Sequence, residues 1–228
     1  MTRPRIGITT SDHKSRLAWL CDWLAVWRAG GKPIRLSPSR PVPEGLDGLV
    51  IGGGDDIGAQ LYGGEVQLDV RVDPKRDILE LDLLERLLPS NCPVLGICRG
   101  AQIINVHLGV TVQRYLHHVR PHQETSHGPA TQDGRRGRGS YLHELLGVAW
   151  CQVNSLHHQA IDRTGDTIDI VARDRDGLVQ GIESRAYRFL IGVQWHPEFL
   201  IFNRPQQRLI RALVSAACEH AEQRAQAH

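Results

Sequence analysis

Long apolar runs, closely spaced cysteines and an excess of charge are all missing from this sequence of 228 residues. No apolar stretch approaches the ~18 residues that a membrane-spanning helix needs, and the opening MTRPRIGITTSD has no signal-peptide core. The net charge of +2 is too small to indicate binding to nucleic acid or to an acidic membrane surface. We therefore expect neither nucleic acid nor a membrane as a partner.

The cysteines follow none of the spacings that accompany metal binding. They are scattered along the chain, without a CxxC pair or a zinc-ligand pattern, at Cys21, Cys92, Cys98, Cys151 and Cys218. We expect free thiols in a reducing cytoplasm, with neither a metal nor an organic cofactor. Because cysteine is often buried as a small apolar residue, a free thiol by itself indicates no function.

Internal repeats and a dividing linker are also missing, so we expect a single domain over residues 1–228. In the first half, β-branched runs alternate with helical patterns. The strands are expected at RIGITT (5–10), KPIRLS (32–37), DGLVIGG (47–53) and PVLGI (93–97), and the helices at 15–31, 73–90 and 99–109. This order predicts an α/β domain built on a mainly parallel sheet flanked by helices.

Two of these helices carry start signals. Ser15 is the expected N-cap of the first helix, with Gly30 or Gly31 as its stop, and Asp73 is the expected N-cap of the second. Apolar residues at 78, 81, 84 and 88 predict the buried stripe of the second helix.

The second half has a different character. Residues 117–139 are rich in His, Gly and Arg, which predicts a long surface loop with solvated histidines. Further strands are predicted at WCQVNS (150–155), TIDIVARD (167–174), LVQGIES (178–184) and FLIGVQW (189–195), followed by an amphipathic helix over 204–225.

The first functional pattern is GICRG at 96–100, which fits the strand-to-helix turn that exposes a nucleophile. Glycines on both sides of Cys98 leave room for a sharp turn. The N-terminus of the following helix would favour the thiolate, and the N–H of Arg99 would serve as one oxyanion-hole donor. A buried, purely structural cysteine is the alternative.

A second pattern, GVQWHPEF at 192–199, supplies a base. His196 and Glu198 are two residues apart on an extended segment, so their side chains point the same way. An imidazole beside a carboxylate is the base and orienting group that nucleophilic catalysis needs, although a surface ion pair would show the same spacing.

A third strand end carries three glycines, in VIGGGDDIG at 50–58. These glycines allow a ligand to approach the backbone, and the N–H of Gly53 or Gly54 would be the second oxyanion donor. A tight turn is the alternative. Neither G-x-G-x-x-G nor a Walker lysine is present, so nucleotide binding is not indicated.

Together, GGGDD, RDILEL, GICRGAQIINV, VNSLHHQAI and GVQWHPEF resemble the class I glutamine amidotransferase superfamily, and most closely its γ-glutamyl-γ-aminobutyrate hydrolase family, of the peptidase C26 type. The resemblance extends over nearly the whole chain. It implies a flavodoxin-like α/β fold with additional antiparallel strands.

The resemblance also implies roles for individual residues. Cys98 would attack a γ-glutamyl amide, His196 would relay the proton and Glu198 would orient His196. Matches to the family's substrate pocket fall on Gln102, His157, His158 and Gln159. The implied substrate is a small γ-glutamyl-amine. The leaving amine stays open between a polyamine catabolite, a folate-like polyglutamate and a peptide, and the basic DGRRGRG segment at 133–139 departs from the family pattern.

Two other functions stay open on the same fold. One is a glutaminase that delivers ammonia to a separate synthetase, and the other is a non-catalytic binding or regulatory module. A stripe of Trp19, Trp23 and Trp27 on the first helix predicts buried core, with a homodimer interface as the alternative.

Overall fold

In the computed structural model, the described residues are 3–58, 72–109, 113–115, 122–126, 139–154 and 159–226. Their strands form one nine-stranded mixed sheet and one two-stranded sheet. None of the described helices is long and apolar enough to cross a lipid bilayer.

The first half of the large sheet is parallel and contains the predicted βα units. Its order is β2-β1-β3-β4-β11, and every neighbouring pair in it is parallel. These strands are β1 (Arg5–Thr9), β2 (Lys32–Leu36), β3 (Gly48–Ile51), β4 (Val94–Ile97) and β11 (Leu190–Val193). In this half the carboxyl ends of β3, β4 and β11 lie side by side, which is where ligands bind in such sheets.

The second half of the sheet is antiparallel and continues the order as β11-β10-β9-β6-β7. Its strands are β6 (His122–Ser126), β7 (Trp150–Asn154), β9 (Asp169–Asp174) and β10 (Val179–Glu183). The small sheet pairs β5 (Gln113–Tyr115) with β8 (Gln159–Ile161). The predicted α/β class, a flavodoxin-like sheet with additional antiparallel strands, is therefore confirmed.

Helices cover both faces of the sheet. They are α1 (Arg16–Arg28), α2 (Pro74–Leu87), α3 (Arg99–His107), α4 (Tyr141–Leu146) and α5 (Arg204–Gln226). One buried apolar cluster joins α1, α4 and α5 to one face of the sheet, and a second joins α2 and α3 to the opposite face. The alternation of side chains along each strand supplies both clusters at once.

The start signals of the two helices have different outcomes. Asp73 caps α2 as predicted, because its side chain accepts a hydrogen bond from the Arg76 N–H at 3.3 Å. Ser15 occupies the N-cap position of α1 as predicted, but in a left-handed conformation, with φ of 57°, and without a side-chain cap hydrogen bond. Gly30, with φ of 97°, follows the end of α1.

The predicted stripe of α2 is partly wrong. Ile78 is 69% exposed, whereas Arg76, Asp77 and Glu80 are buried together with Leu84. Charged residues occupy the inward face of α2 because they pair with one another and with the residues that surround the nucleophile, as described below.

Two elements of the second half differ from the expectation. Strand β6 lies inside the predicted 117–139 loop, and helix α4, which Ser140 caps through a 3.2 Å bond from the His143 N–H, was not predicted. Residues 117–121 and 127–138, with most of the basic segment, lie outside the described residues.

The tryptophan stripe is divided between core and surface. Trp19 and Trp23 are half-buried against the apolar core, whereas Trp27 is 46% exposed and stacks on Trp23 with ring centroids 6.2 Å apart. Arg35 lies over Trp19, 5.4 Å from the ring centroid. The core prediction thus holds for the inner two rings only, and the homodimer stays a prediction.

Candidate active site

Cys98 occupies the turn between β4 and α3, at the carboxyl end of a central strand. It has φ of 53°, a left-handed backbone conformation that non-glycine residues rarely adopt. Gly100 permits the turn, because a Cβ there would collide with the carbonyl oxygen of Ile51. The Cys98 N–H donates to the Val193 carbonyl oxygen at 2.7 Å, which fixes the turn to β11. The sequence thus folds Cys98 into the strained elbow that its glycines predicted.

His196 and Glu198 follow the end of β11 and form a buried pair. His196 Nδ1 lies 2.7 Å from Glu198 Oε1, and the two side chains are 9% and 0% exposed. Asn154 holds the His196 backbone through two hydrogen bonds, donating to its carbonyl oxygen and accepting from its N–H. Phe199 stacks on the imidazole with centroids 5.4 Å apart. Asn154 therefore holds the backbone of His196, while Glu198 and Phe199 hold its ring.

The imidazole is electrostatically coupled to the nucleophile. Burial lowers the pKa of His196, but the charge of Cys98 and the hydrogen bonds to Cys98 and Glu198 outweigh burial, so the pKa lies well above the ordinary 6.5. An imidazolium beside a thiolate is the ion pair that activates a cysteine nucleophile.

The glycine loop after β3 contacts the same residues. A Cβ on Gly53 would lie 2.6 Å from His196 Cε1 and 3.6 Å from Cys98 Cβ, so Gly53 borders the reacting groups directly. A Cβ on Gly54 would instead collide with the Arg76 guanidinium. Of the two glycines predicted as oxyanion donors, Gly53 is the one whose Cα lies beside His196 and Cys98, and the oxyanion role of either N–H stays a prediction.

A buried charge network supports both sides of this site. Arg76 donates to the carbonyl oxygens of Gly52 and Gly53 at 2.6 and 3.0 Å, and to Glu80 at 2.7 Å. The Arg99 guanidinium, directly after the nucleophile, pairs with Glu80 and Asp77. Burial raises the pKa of Glu80, but Arg76 and Arg99 outweigh burial and leave that pKa lowered. Glu80 therefore ties the glycine loop to the elbow.

Three buried glutamines form a chain of hydrogen bonds that begins at Cys98. Gln194 Nε2 lies 3.5 Å from Cys98 Sγ and its Oε1 accepts from Gln102 Nε2 at 3.2 Å. Gln102 also donates to the Gln159 carbonyl oxygen at 2.9 Å, and Gln159 Oε1 accepts from the Ile57 N–H. The predicted Gln102 and Gln159 thus lie together near the nucleophile, whereas His157 and His158 lie outside the described residues.

Several of these contacts were not predicted. Gln194 could have been found, since it lies two residues before His196 on the same extended segment and shares its side. In the sequence, Arg76 and Glu80 are recognisable only as oppositely charged residues four positions apart on one helix, a spacing typical of an exposed helix face. Nothing in the sequence shows that this face is buried against the elbow.

The four other cysteines lie in different surroundings. Burial raises the pKa of Cys92 to about 12 and that of Cys151 to about 11. Burial also raises the pKa of Cys21 and Cys218. Among the described residues, no three His, Cys, Asp or Glu side chains converge as a metal site would require.

Comparison with known proteins identifies the family. The model of the peptidase C26 family matches residues 10–198. A Mycobacterium tuberculosis protein named as a candidate glutamine amidotransferase is 37% identical over 210 residues, covering 87% of this chain and 67% of its own. The γ-glutamyl-γ-aminobutyrate hydrolase PuuD of Escherichia coli K12 is 30% identical over 216 residues, covering 86% of this chain and 84% of its own.

Solved structures show the same fold. A glutamine amidotransferase from Methylobacillus flagellatus superimposes with a TM-score of 0.64 at 15% identity, covering 95% of this chain and 96% of that one. The glutaminase domain of Trypanosoma brucei CTPS, with bound acivicin, also has a TM-score of 0.64, at 14% identity. The chain therefore belongs to the peptidase C26 family and is a hydrolase of the glutamine amidotransferase type.

Proposed function

We propose that the protein cleaves the γ-glutamyl amide bond of a small γ-glutamyl-amine, releasing glutamate and the amine through a thioester on Cys98. The observation that carries the proposal is the buried arrangement of Cys98 at φ 53° beside His196, whose Nδ1 lies 2.7 Å from Glu198. The resemblance to a γ-glutamyl-γ-aminobutyrate hydrolase supports the choice of substrate class.

The first half of the reaction forms the acyl-enzyme. The Cys98 thiolate attacks the γ-carbonyl carbon, and the carbonyl oxygen becomes an oxyanion that accepts hydrogen bonds from the N–H groups of Arg99 and Gly53. As the first residue of α3, Arg99 has an N–H without an acceptor inside the helix. His196, as the imidazolium, gives its proton to the departing amine nitrogen, the C–N bond breaks, and the thioester remains.

The second half hydrolyses the thioester. Neutral His196 takes a proton from water, the hydroxide attacks the thioester carbon, and the C–S bond breaks to release glutamate and the Cys98 thiolate. Throughout both halves the His196 Nδ1–H donates a hydrogen bond to Glu198, and this leaves Nε2 available for proton transfer. Each oxyanion donor contributes about 3–4 kcal/mol to transition-state stabilisation, by analogy with measured oxyanion holes.

A hydrolysis screen tests the proposal. Purified protein is incubated with γ-glutamyl-γ-aminobutyrate, other γ-glutamyl-amines, a γ-glutamyl peptide, a folate-like polyglutamate and glutamine, and both glutamate and the leaving amine are quantified. Cys98→Ala serves as the inactive control, and Cys218→Ala, on the outer helix α5, serves as the matched active control. We expect a γ-glutamyl-amine to be cleaved with a higher kcat/KM than glutamine.

Two results would contradict the proposal. Ammonia release from glutamine alone, rising when a partner protein is added, would favour a glutaminase that serves a synthetase. No turnover of any member of the panel, together with an unreactive Cys98, would favour a non-catalytic module.

A further inference from the structure

One buried carboxyl group near the site has no part in the mechanism above. Asp22 lies in the middle of α1 and is 2% exposed, although the rest of that helix carries few charges. Helix α1 packs against the 3₁₀ turn Pro197–Phe199, which contains Glu198. On its other side, Asp22 Oδ2 lies 3.6 Å from the place where a Gly52 Cβ would be. Asp22 is thus enclosed between the His196–Glu198 arm and the glycine loop.

Two carboxylate oxygens in this region lack a hydrogen-bond donor. Glu198 uses Oε1 for His196, while its Oε2 is buried without a hydrogen-bond partner among the described residues. Asp22 Oδ1 is likewise buried without a partner in the described part of the chain. A buried acceptor without a donor lowers the stability of the folded state. A single proton shared between two such oxygens on neighbouring acids gives both of them a hydrogen bond.

The charges around Asp22 favour that proton. Burial raises the pKa of Asp22 most, the negative charge of Glu198 raises it further, and His196 and Arg76 only partly oppose them, so the pKa lies well above 3.8. Two carboxylates that share a low-dielectric site do not both ionise, because the repulsion between them is not screened by water. Glu198 is the member beside an imidazolium, so the proton belongs to Asp22.

We propose that Asp22, as a neutral acid, donates a hydrogen bond to Glu198 Oε2, directly or through one water, and so positions the carboxylate that orients His196. The inference rests on the proposed function, since it extends the Cys98–His196–Glu198 arrangement by one residue. Asp22 touches neither the substrate nor the reacting atoms, and is therefore a positioning residue and not a catalytic one.

The proposal predicts different results for two substitutions of Asp22, one of which keeps a hydrogen-bond donor while the other removes it. Asp22→Asn keeps the size of the side chain and can donate an amide N–H to Glu198 Oε2, whereas Asp22→Ala leaves that oxygen without a donor. We expect Asp22→Ala to lower kcat on the order of 10- to 100-fold with a smaller change in KM, as loss of one buried hydrogen bond predicts. Asp22→Asn should recover most of that loss. Asp82→Ala, at an exposed position of α2, is the control.

Two readouts do not depend on substrate turnover. The rate of Cys98 alkylation against pH reports the thiolate–imidazolium pair, and its acid limb should move in Asp22→Ala but only slightly in Asp22→Asn. The infrared difference spectrum between the wild type and Asp22→Asn at neutral pH should contain the C=O stretching band of a protonated carboxyl group. Thermal unfolding curves of each variant test whether it is folded at the assay temperature.

The outcomes are distinct. An absent carboxylic-acid band, or an Asp22→Asn variant as impaired as Asp22→Ala, would overturn the proposal by showing that Asp22 acts as a charge. Wild-type activity and alkylation in Asp22→Ala would overturn it by showing no positioning role. Failure of the proposed function looks different, because the wild type would then cleave no γ-glutamyl-amine in the hydrolysis screen, whereas the alkylation and infrared readouts on Asp22 need no substrate.

Discussion

Gly53→Ala offers a strong test of the site, because the added methyl group would collide with the imidazole of His196. The new Cβ would lie 2.6 Å from His196 Cε1 and 3.2 Å from Nδ1, whereas ordinary carbon–carbon contacts are about 3.5–4.0 Å. The imidazole, or the loop, must therefore shift by about 1 Å. A displacement of that size at a catalytic group lowers the rate by about 100-fold, which corresponds to ~2.7 kcal/mol in the barrier.

The assay compares kcat, KM and thermal stability of Gly53→Ala with those of the wild type. We expect a fall of kcat with a nearly unchanged fold, because Phe199 and Asn154 still hold the arm. Gly177→Ala is the control: at φ 82°, in an open turn, it strains the backbone by about 1 kcal/mol without touching the site. A Gly53→Ala variant with wild-type kcat would refute the placement of Gly53 against His196.

Other predictions concern charge and assembly. Cys98→Ser removes the thiolate charge that helps to raise the pKa of His196, so that pKa should fall, which NMR of the imidazole can measure. Glu80→Gln leaves two buried guanidinium groups with one carboxylate fewer and should lower the free energy of unfolding by about 3–5 kcal/mol, whereas exposed Asp82→Asn should change it by under about 0.5 kcal/mol. Because the pKa of Glu80 is lowered in the folded state, its contribution is present above its unfolded pKa near 4.5 and is lost as pH falls through the folded value. Urea unfolding of the wild type between pH 7 and 3, with Glu80→Gln as the reference, measures that loss, and parallel curves would contradict it. Light scattering at micromolar concentration tests the predicted homodimer, which a monomeric mass would exclude.

Elements with a clear local signal could be predicted from the sequence. The apolar runs at β1, β3, β4 and β11 alternate with helical patterns, and Cys98 stands between glycines at a strand end. His196 and Glu198 share a side through simple alternation. Each of these features depends only on residues close together in the sequence. The parallel half of the sheet and the His196–Glu198 pair could therefore be predicted.

Features that depend on distant parts of the chain could not be predicted. In the sequence, Arg76 and Glu80 have the spacing of an exposed ion pair on a helix. Their burial depends on how α2 packs against the turn at Cys98, which the sequence does not show. Asp22 is an isolated acid in an apolar helix, and its relation to Glu198 appears only when α1 packs against the turn Pro197–Phe199. Strand β6 was not predicted because its residues, HQETS, show no apolar periodicity, and its place in the sheet depends on pairing with the distant strands β7 and β9.

The central claim is that Cys98 carries the acyl group during turnover. Rapid quenching of the protein with a γ-glutamyl-amine in acid, followed by peptide mass spectrometry, tests it directly, since a thioester survives acid. We expect one γ-glutamyl group on the peptide that contains Cys98, with none on Cys92 or Cys151, whose raised pKa values keep them protonated. Turnover of the substrate without such an adduct, or an adduct on another cysteine, would contradict the account.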